Sequence, residues 1–300
     1  MPALEIGVAS VDDMALLGDW AGAEGWNPGL SDGGAFFATD PHGFLIGRLD
    51  GEPAACVSVV RYGTDFGFLG FYITRPPLRG RGYGIQLWRA GMARLDGRNV
   101  GLDGVVEQQD NYRKSGFRSA WNNIRYEGVP YGSGDGEGRG DRGGDRGGDT
   151  GAATPAGITL VDARTLSFTQ LAAYDRRFFP AARDHFLASW IAAPQRTALA
   201  AVQDGELRGF AVLRACRAAS RIGPLYAEST GVAAALVGAL GATTPGKPVA
   251  IDVPDTHPEA ARLMERLGLT PSFETARMYT GPVPQIDRSG LFGITSLELG

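Results

Sequence analysis

Apolar positions fall into short runs of two periodicities. Phe44–Leu49, Pro53–Tyr62 and Asp65–Ile73 are dense in aliphatic and aromatic residues and are bounded by Asp, Gly and Pro, which predicts successive strands. Between Gly84 and Leu95 the period changes. Ile85, Trp88, Met92 and Leu95 recur at helical spacing, which predicts a helix with one apolar face. Ser10-Val-Asp-Asp13 opens an earlier helix, running through Trp20, as a capping box, and EGWNPGLSDGG after it reads as a loop. Val100–Val105 predicts a strand, Asn111–Ser115 a short helix and Phe117–Glu127 another strand. Hairpins first and strand–helix–strand units after make a mixed α/β (α+β) pattern.

The pattern then repeats. Phe44–Tyr62 and Ala198–Cys216 are both an apolar strand, Asp-Gly-Glu and a second apolar strand, the signature of a hairpin. Val100–Asp103 matches Val249–Asp252, Gly116-Phe117 matches Gly268-Leu269, and Tyr126 matches Tyr279. Matches in one order at offsets of 154, 149, 152 and 153 argue for a duplicated fold. Between the copies, residues 129–156 are Gly, Asp and Arg with almost nothing apolar, so they cannot build a core and read as a flexible linker. The expected domains are 1–128 and 157–300.

Composition narrows the function. The 300 residues are 43% hydrophobic and 21% charged, enough for sizeable cores. A net charge of −4 argues against a strongly basic nucleic-acid binder, in spite of Arg79, Arg81, Arg89 and Arg94. The first residues carry neither a basic segment nor a long apolar run, and the longest apolar stretch, Val232–Ala242, is too short to span a bilayer. The expectation is a cytoplasmic protein with no membrane partner. Cys56 and Cys216 sit in apolar runs and read as buried thiols. His42, His185 and His257 fall at no metal or catalytic spacing and read as structural, so no metal is expected.

The richest chemistry lies in FLGFYITRPPLRGRGYGIQL, Phe68–Leu87. A strand ends at Ile73, Pro76 and Pro77 stop it, and Arg79-Gly80-Arg81-Gly82-Tyr83-Gly84 leads into the helix. Glycines let backbone N–H groups approach a ligand, and a helix N-terminus adds unpaired N–H groups and partial positive charge. That is a cradle for a diphosphate, with the arginines beside it. The alternative is a Gly-rich turn that only starts a helix. The nucleotide P-loop is excluded, since Tyr-Gly-Ile stands where Lys-Ser/Thr would be needed; the dinucleotide fingerprint is one residue short.

This segment resembles the acetyl-CoA-binding motif of the GNAT superfamily of N-acetyltransferases, Gln/Arg-x-x-Gly-x-Gly/Ala, matched by Arg79, Gly82 and Gly84. Tyr112-Arg-Lys-Ser-Gly116-Phe117 resembles the family's Tyr-x-x-x-Gly-Phe. The resemblance implies two tandem GNAT-like domains, each a mixed, mostly antiparallel sheet flanked by helices. It implies that Arg79, Gly80, Arg81, Gly82, Tyr83 and Gly84 hold the diphosphate of acetyl-CoA, and that the backbone of Phe71, Tyr72 and Ile73 pairs with the pantetheine arm. It further implies Tyr112 as the acid that protonates the departing thiolate; the other reading is a core tyrosine. Acceptor recognition falls to Trp26, which can box a cation, and Asn27, which can hydrogen-bond. Their alternative is a Pro-Gly turn pinned by a buried Trp. No base stands out: Asp65 and Glu107 are weak candidates and a water chain is expected.

The second copy resembles the C-terminal domain of bacterial tandem GNAT proteins. It has Gly223–Gly231 where the first has its Arg-Gly loop, and there Glu228 would repel a diphosphate while Glu-Ser-Thr caps a helix. It is therefore expected to have lost acetyl-CoA and to complete the acceptor pocket. The implied reaction is direct acetyl transfer from acetyl-CoA to a primary amine of a small molecule, by a monomer or homodimer. The competing expectation is a non-enzymatic acyl-CoA sensor or scaffold.

Overall fold

The protein is described by a computed structural model covering residues 3–131 and 154–300, so most of the expected linker lies outside the described residues. The first half runs β1 (Glu5–Val8), α1 (Asp13–Ala23), α2 (Asp32–Thr39), β2 (Phe44–Leu49), β3 (Glu52–Tyr62), β4 (Phe66–Thr74), α3 (Tyr83–Arg94), β5 (Asn99–Val105), α4 (Gln109–Lys114) and β6 (Arg118–Gly128). The second runs β7 (Thr159–Asp162), α5 (Phe168–Asp175), α6 (Asp184–Ala192), β8 (Arg196–Gln203), β9 (Glu206–Arg214), β10 (Ser220–Ala227), α7 (Thr230–Ala242), β11 (Val249–Pro254), α8 (Pro258–Arg266), β12 (Thr270–Tyr279) and β13 (Leu291–Gly293).

Local signals place most of these elements. Asp50-Gly51 and Asp204-Gly205 all take positive φ, the turn that lets the β2–β3 and β8–β9 hairpins keep their twist. The Ser10–Asp13 box is reciprocal: the Ser10 N–H donates to the Asp13 carboxylate at 2.8 Å, and the Asp13 N–H donates to Ser10 Oγ at 3.2 Å. The segment expected as loop runs into α2, whose first turn takes its last three residues, and Gly33 and Gly34 weaken the helical signal there. Packing supplies what propensity lacks. The Phe36 ring stacks on Phe186 and Trp190 of α6, 6.5 and 5.8 Å away.

Among the described residues one sheet runs through both halves in the order β1-β2-β3-β4-β5-β12-β6-β11-β10-β9-β8-β7, mostly antiparallel, with β13 paired to β10. The equivalent strands β6 and β12 have crossed over. β12 inserts between β5 and β6, and β6 pairs with β11. Two buried ion pairs sit at equivalent positions of the exchange: Arg277 of β12 forks onto Asp103 of β5 at 2.6 and 2.7 Å, and Arg125 of β6 onto Asp252 of β11 at 2.8 and 3.3 Å. α3 and α7 each cover the sheet in a core of their own, into which the other half's exchanged strand sends Ala276 and Met278 on the α3 side and Tyr126 on the α7 side, while α1, α2, α5, α6 and the segment 294–300 share one core that joins the halves.

Candidate active site

A wedge opens in the first half. β4 and β5 pair in parallel from Phe66–Asn99 to Leu69–Leu102 and then separate. β5 stays in the sheet through β12, while β4 continues along β3 past a bulge opposite Val57. Phe71 occupies that bulge with φ 46°, its ring edge-on to Phe36 at 5.8 Å. The result is a cleft of about 470 Å³ whose walls include Gly70–Thr74 of β4 and Leu102–Val105 of β5. Strand backbone facing such a gap has hydrogen-bonding groups to offer.

The cleft runs onto the start of α3. Gly80 and Gly82 take φ of 74° and 80°, and a Cβ at either would meet nothing within 4 Å. Gly82 is the N-cap, and no side chain caps the turn. The first-turn N–H groups of α3 therefore keep their binding capacity. Gly84 has a different task. A Cβ there would lie 2.8 Å from Thr74 Oγ1 and 2.9 Å from the Tyr72 hydroxyl, so its absence lets α3 begin against β4. The two arginines are placed differently. Arg79 lines the cleft, donates to the Thr74 carbonyl at 2.9 Å and pairs with Glu24 of the α1–α2 connection, while Arg81 is exposed and lies outside the cleft walls. Ile85, expected on the buried face of α3, is exposed and lines the cleft instead, the buried positions being Tyr83, Leu87, Trp88 and Gly91.

Tyr112 of α4 lines the opposite wall, its ring stacked on Trp88 at 5.7 Å. A Cβ on Gly104 would come within 2.2 Å of that ring, so Gly104 gives Tyr112 its seat. Burial, with Tyr72 close by, pushes the Tyr112 phenol up to about 12. It is thus a proton donor at neutral pH. Tyr72 packs on the same Trp88 at 5.1 Å and is raised by burial too.

Trp26 lines the cleft, but Asn27 does not. The Asn27 amide donates to the Ala219 carbonyl at 2.7 Å and accepts from the Ala218 N–H at 2.9 Å, so it ties the α1–α2 loop to the second half rather than facing the cleft where an acceptor is expected. Asp65 is a turn residue and Glu107 is exposed, both away from the cleft walls. What the sequence reading missed comes from the second half: Phe273, Thr275, Leu297 and Glu298 also line the cleft. Their pattern signal is only that of an ordinary strand and of a polar-apolar tail.

The second half has the same wedge, but filled. β10 and β11 pair only at Ser220–Val249 and Arg221–Ala250. Into the gap goes β13, bonded to β10, with the Ile294 N–H donating to the Asp252 carbonyl at 3.0 Å. The helix start is filled as well, because Ser229 Oγ accepts from the Val232 N–H at 3.3 Å. Glu228 pairs with Arg177 and Arg208. His257 caps α8 through Nδ1, and Cys56 is fully buried with its thiol pushed up by burial. Among the described residues no group of His, Cys, Asp and Glu is placed to hold a metal ion, and no helix is long and apolar enough to cross a membrane.

Comparison with known proteins agrees with this geometry. Residues 15–117 match the model of the acetyltransferase (GNAT) family and residues 171–293 that of an acetyltransferase (GNAT) domain. A holothin acyltransferase from a Pseudoalteromonas strain is 31% identical over 97% of this chain and 93% of its own length. A crystal structure of a candidate acetyltransferase from Pyrococcus horikoshii superposes with a TM-score of 0.76 at 18% identity, over 99% of this chain and 96% of the other. A tandem GNAT protein of the clavulanic acid biosynthesis pathway gives 0.60 at 17% identity, over 94% and 100%. At those identities the structures speak for fold alone.

Proposed function

The chain belongs to the GNAT acetyltransferase family, and from that premise we propose that it moves an acetyl group from acetyl-CoA to a primary amine of a small molecule, in one step without a covalent enzyme intermediate. The observation that carries the reading is the open wedge between β4 and β5 leading onto an uncapped helix N-terminus. A diphosphate suits the N–H groups around Gly80–Gly84, where a positive helix end and open space coincide. An amide-bearing arm suits the unpaired edge of Phe71–Ile73, by the same logic that pairs strands. Acetyl-CoA supplies the thioester to be attacked.

The protein's own groups then have definite work. Tyr112 holds a proton for the departing sulfur, and its raised pKa keeps that proton in place at neutral pH. Trp26 lines the cleft and suits a cationic acceptor, while Phe273 in the same cleft already carries the Arg125 guanidinium 5.2 Å from its ring centre. The walls contributed by the second half narrow the acceptor end, which supports a small acceptor over a protein tail. The filled wedge and capped helix of the second half support a single acetyl-CoA site per chain.

The test is a melt with and without acetyl-CoA, followed by thiol detection of free CoA across a panel of primary amines, holothin first because one relative acylates it. Acetyl-CoA should raise the melting temperature, and an amine of the right class should release CoA. The Tyr112→Phe protein should keep the thermal shift and lose about 100-fold in kcat. A chain that acetyl-CoA does not stabilise refutes the reading, and one that binds without releasing CoA is a sensor.

A further inference from the structure

Acyl transfer to an amine needs a base, and the cleft walls carry the carboxylates Glu24, Asp103 and Glu298. Glu24 is paired with Arg79 at the helix-start end. Asp103 is held by the Arg277 fork and also accepts from the Asn123 amide at 2.8 Å, so its oxygens are committed. Glu298 differs. It is 2% exposed, yet neither carboxylate oxygen has a hydrogen-bond partner. Arg221 Nη1 forms a buried ion pair with Oε1 at 3.6 Å, too long for a hydrogen bond, so the carboxylate is held charged with both oxygens free to accept. Thr275 Oγ1, in the same cleft wall, is likewise buried and unpartnered. Leaving such groups unsatisfied is costly, most of all for a charged one, so a site that holds two of them in one cleft is suited to receive a donor.

Position agrees with chemistry. The Glu298 carbonyl lies so close to β4 that a Cβ on Gly70 would be 2.1 Å from it. Gly70 follows the last residue of β4 paired with β5, so Glu298 stands at the apex of the wedge. The rest of its segment is anchored: the Tyr62 hydroxyl donates to the Leu299 carbonyl at 2.9 Å and Arg214 donates to the Thr295 carbonyl at 2.9 Å.

We infer that Glu298, delivered from the second half, is the general base that takes the proton of the acceptor amine, with Thr275 orienting the amine. The inference rests on the acyltransferase reading above. As the amine nitrogen's lone pair forms the C–N bond, its N–H proton passes to the Glu298 carboxylate. The C–S bond breaks with its electron pair going to sulfur, and sulfur takes the Tyr112 proton. Tyr112 then recovers a proton from Glu298 through solvent, and both groups are restored.

The experiment uses the full chain, acetyl-CoA, and holothin with the amine panel. Glu298→Gln should melt as wild type does, keep the acetyl-CoA thermal shift and KM for acetyl-CoA, and lose about 100-fold or more in kcat. Glu298→Ala should be slow and regain activity with added formate, a small carboxylate able to enter the space left. Should the Gln variant not fold, Glu298→Asp carries the test, and is expected to fold and retain a measurable part of kcat. Wild-type kcat in a folded Gln variant overturns the inference, and so does loss of its acetyl-CoA shift or a failure of formate. Should wild-type protein release no CoA with any amine, the acyltransferase reading itself fails and takes the inference with it.

Discussion

At the scale of single residues, Gly82 and Gly84 of the motif do different physical work, and substitutions separate them. Gly82 needs only its backbone: φ is 80° and nothing would touch a Cβ. Gly82→Asn, which tolerates the left-handed region, should therefore fold and bind acetyl-CoA better than Gly82→Val, which carries about 1–2 kcal/mol of strain there. Gly84 needs space. Gly84→Val drives methyl groups into Thr74 and Tyr72 and should cost about 1–3 kcal/mol in urea denaturation while abolishing the acetyl-CoA thermal shift. A neighbouring ion pair gives a test of opposite sign. Glu24 holds Arg79, and both are partly exposed, so the pair is worth at most about 1 kcal/mol. Glu24→Gln frees the guanidinium and removes a negative charge from the cleft, so acetyl-CoA should bind a few-fold more tightly by calorimetry. Weaker binding would show that Glu24 is needed to position the loop. The sequence singles out Gly82, Gly84 and Tyr112 because the motifs that carry the resemblance each lie within a few residues. It cannot show that Asn27 is spent on Ala218 and Ala219, or that Glu298 reaches the apex of the wedge, because both depend on contacts more than 190 residues away.

At the scale of elements, hairpins, the capping box and α3 were legible for the same reason: turn chemistry and periodicity are written within a few residues. The strand exchange was not. β6 and β12 read identically whichever sheet neighbours they take, and only the long-range partners decide. The chemistry of the exchange lies in its buried Arg–Asp pairs. Arg277→Ala leaves Asp103 uncompensated in the core and should destabilise by about 3–5 kcal/mol, whereas Arg277→Met with Asp103→Leu should recover most of that loss. The equivalent carboxylates also differ in titration. Burial opposes the ionisation of Asp252, but Arg125 and Arg221 outweigh it and hold the carboxyl well below its ordinary 3.8. At Asp103 burial wins over the single Arg277 and the pKa rises. A depressed folded pKa means that Asp252 contributes stability fully above its unfolded value, lost as pH falls toward the folded one. Urea midpoints should therefore drop from about pH 5 to about pH 3, and Asp252→Asn, though less stable at pH 5, should flatten that drop. Asp103 works in the other direction, so Asp103→Asn should leave the acid limb in place.

At the scale of the whole molecule, duplication and exchange together explain why one chain carries two copies and one open wedge. The copies keep the same strands and the same forks at β4–β5 and β10–β11, but the chain beyond β12 fills the second fork with β13 and then runs on to the apex of the first. The half that lost its cleft thereby furnishes walls to the one that kept it. The sequence offsets announce the duplication; the filling of one fork is announced by nothing local, since Leu291–Gly293 is only three residues long. Such a molecule cannot be divided at its composition boundary into independent parts. In residues 1–131 alone, β6 would lack both of its sheet neighbours, and β5 would lack β12. Expressed separately, 1–131 and 154–300 should each aggregate or self-associate through the unpaired strands. Expressed together as two chains, they should assemble one to one and regain the acetyl-CoA thermal shift, because the 34 residues of interleaved strand in β5, β6, β11 and β12 hold them without the intervening peptide. A first half that purifies alone as a monomer stabilised by acetyl-CoA would show that the exchange is dispensable, and with it the dependence of the cleft on Thr275 and Glu298.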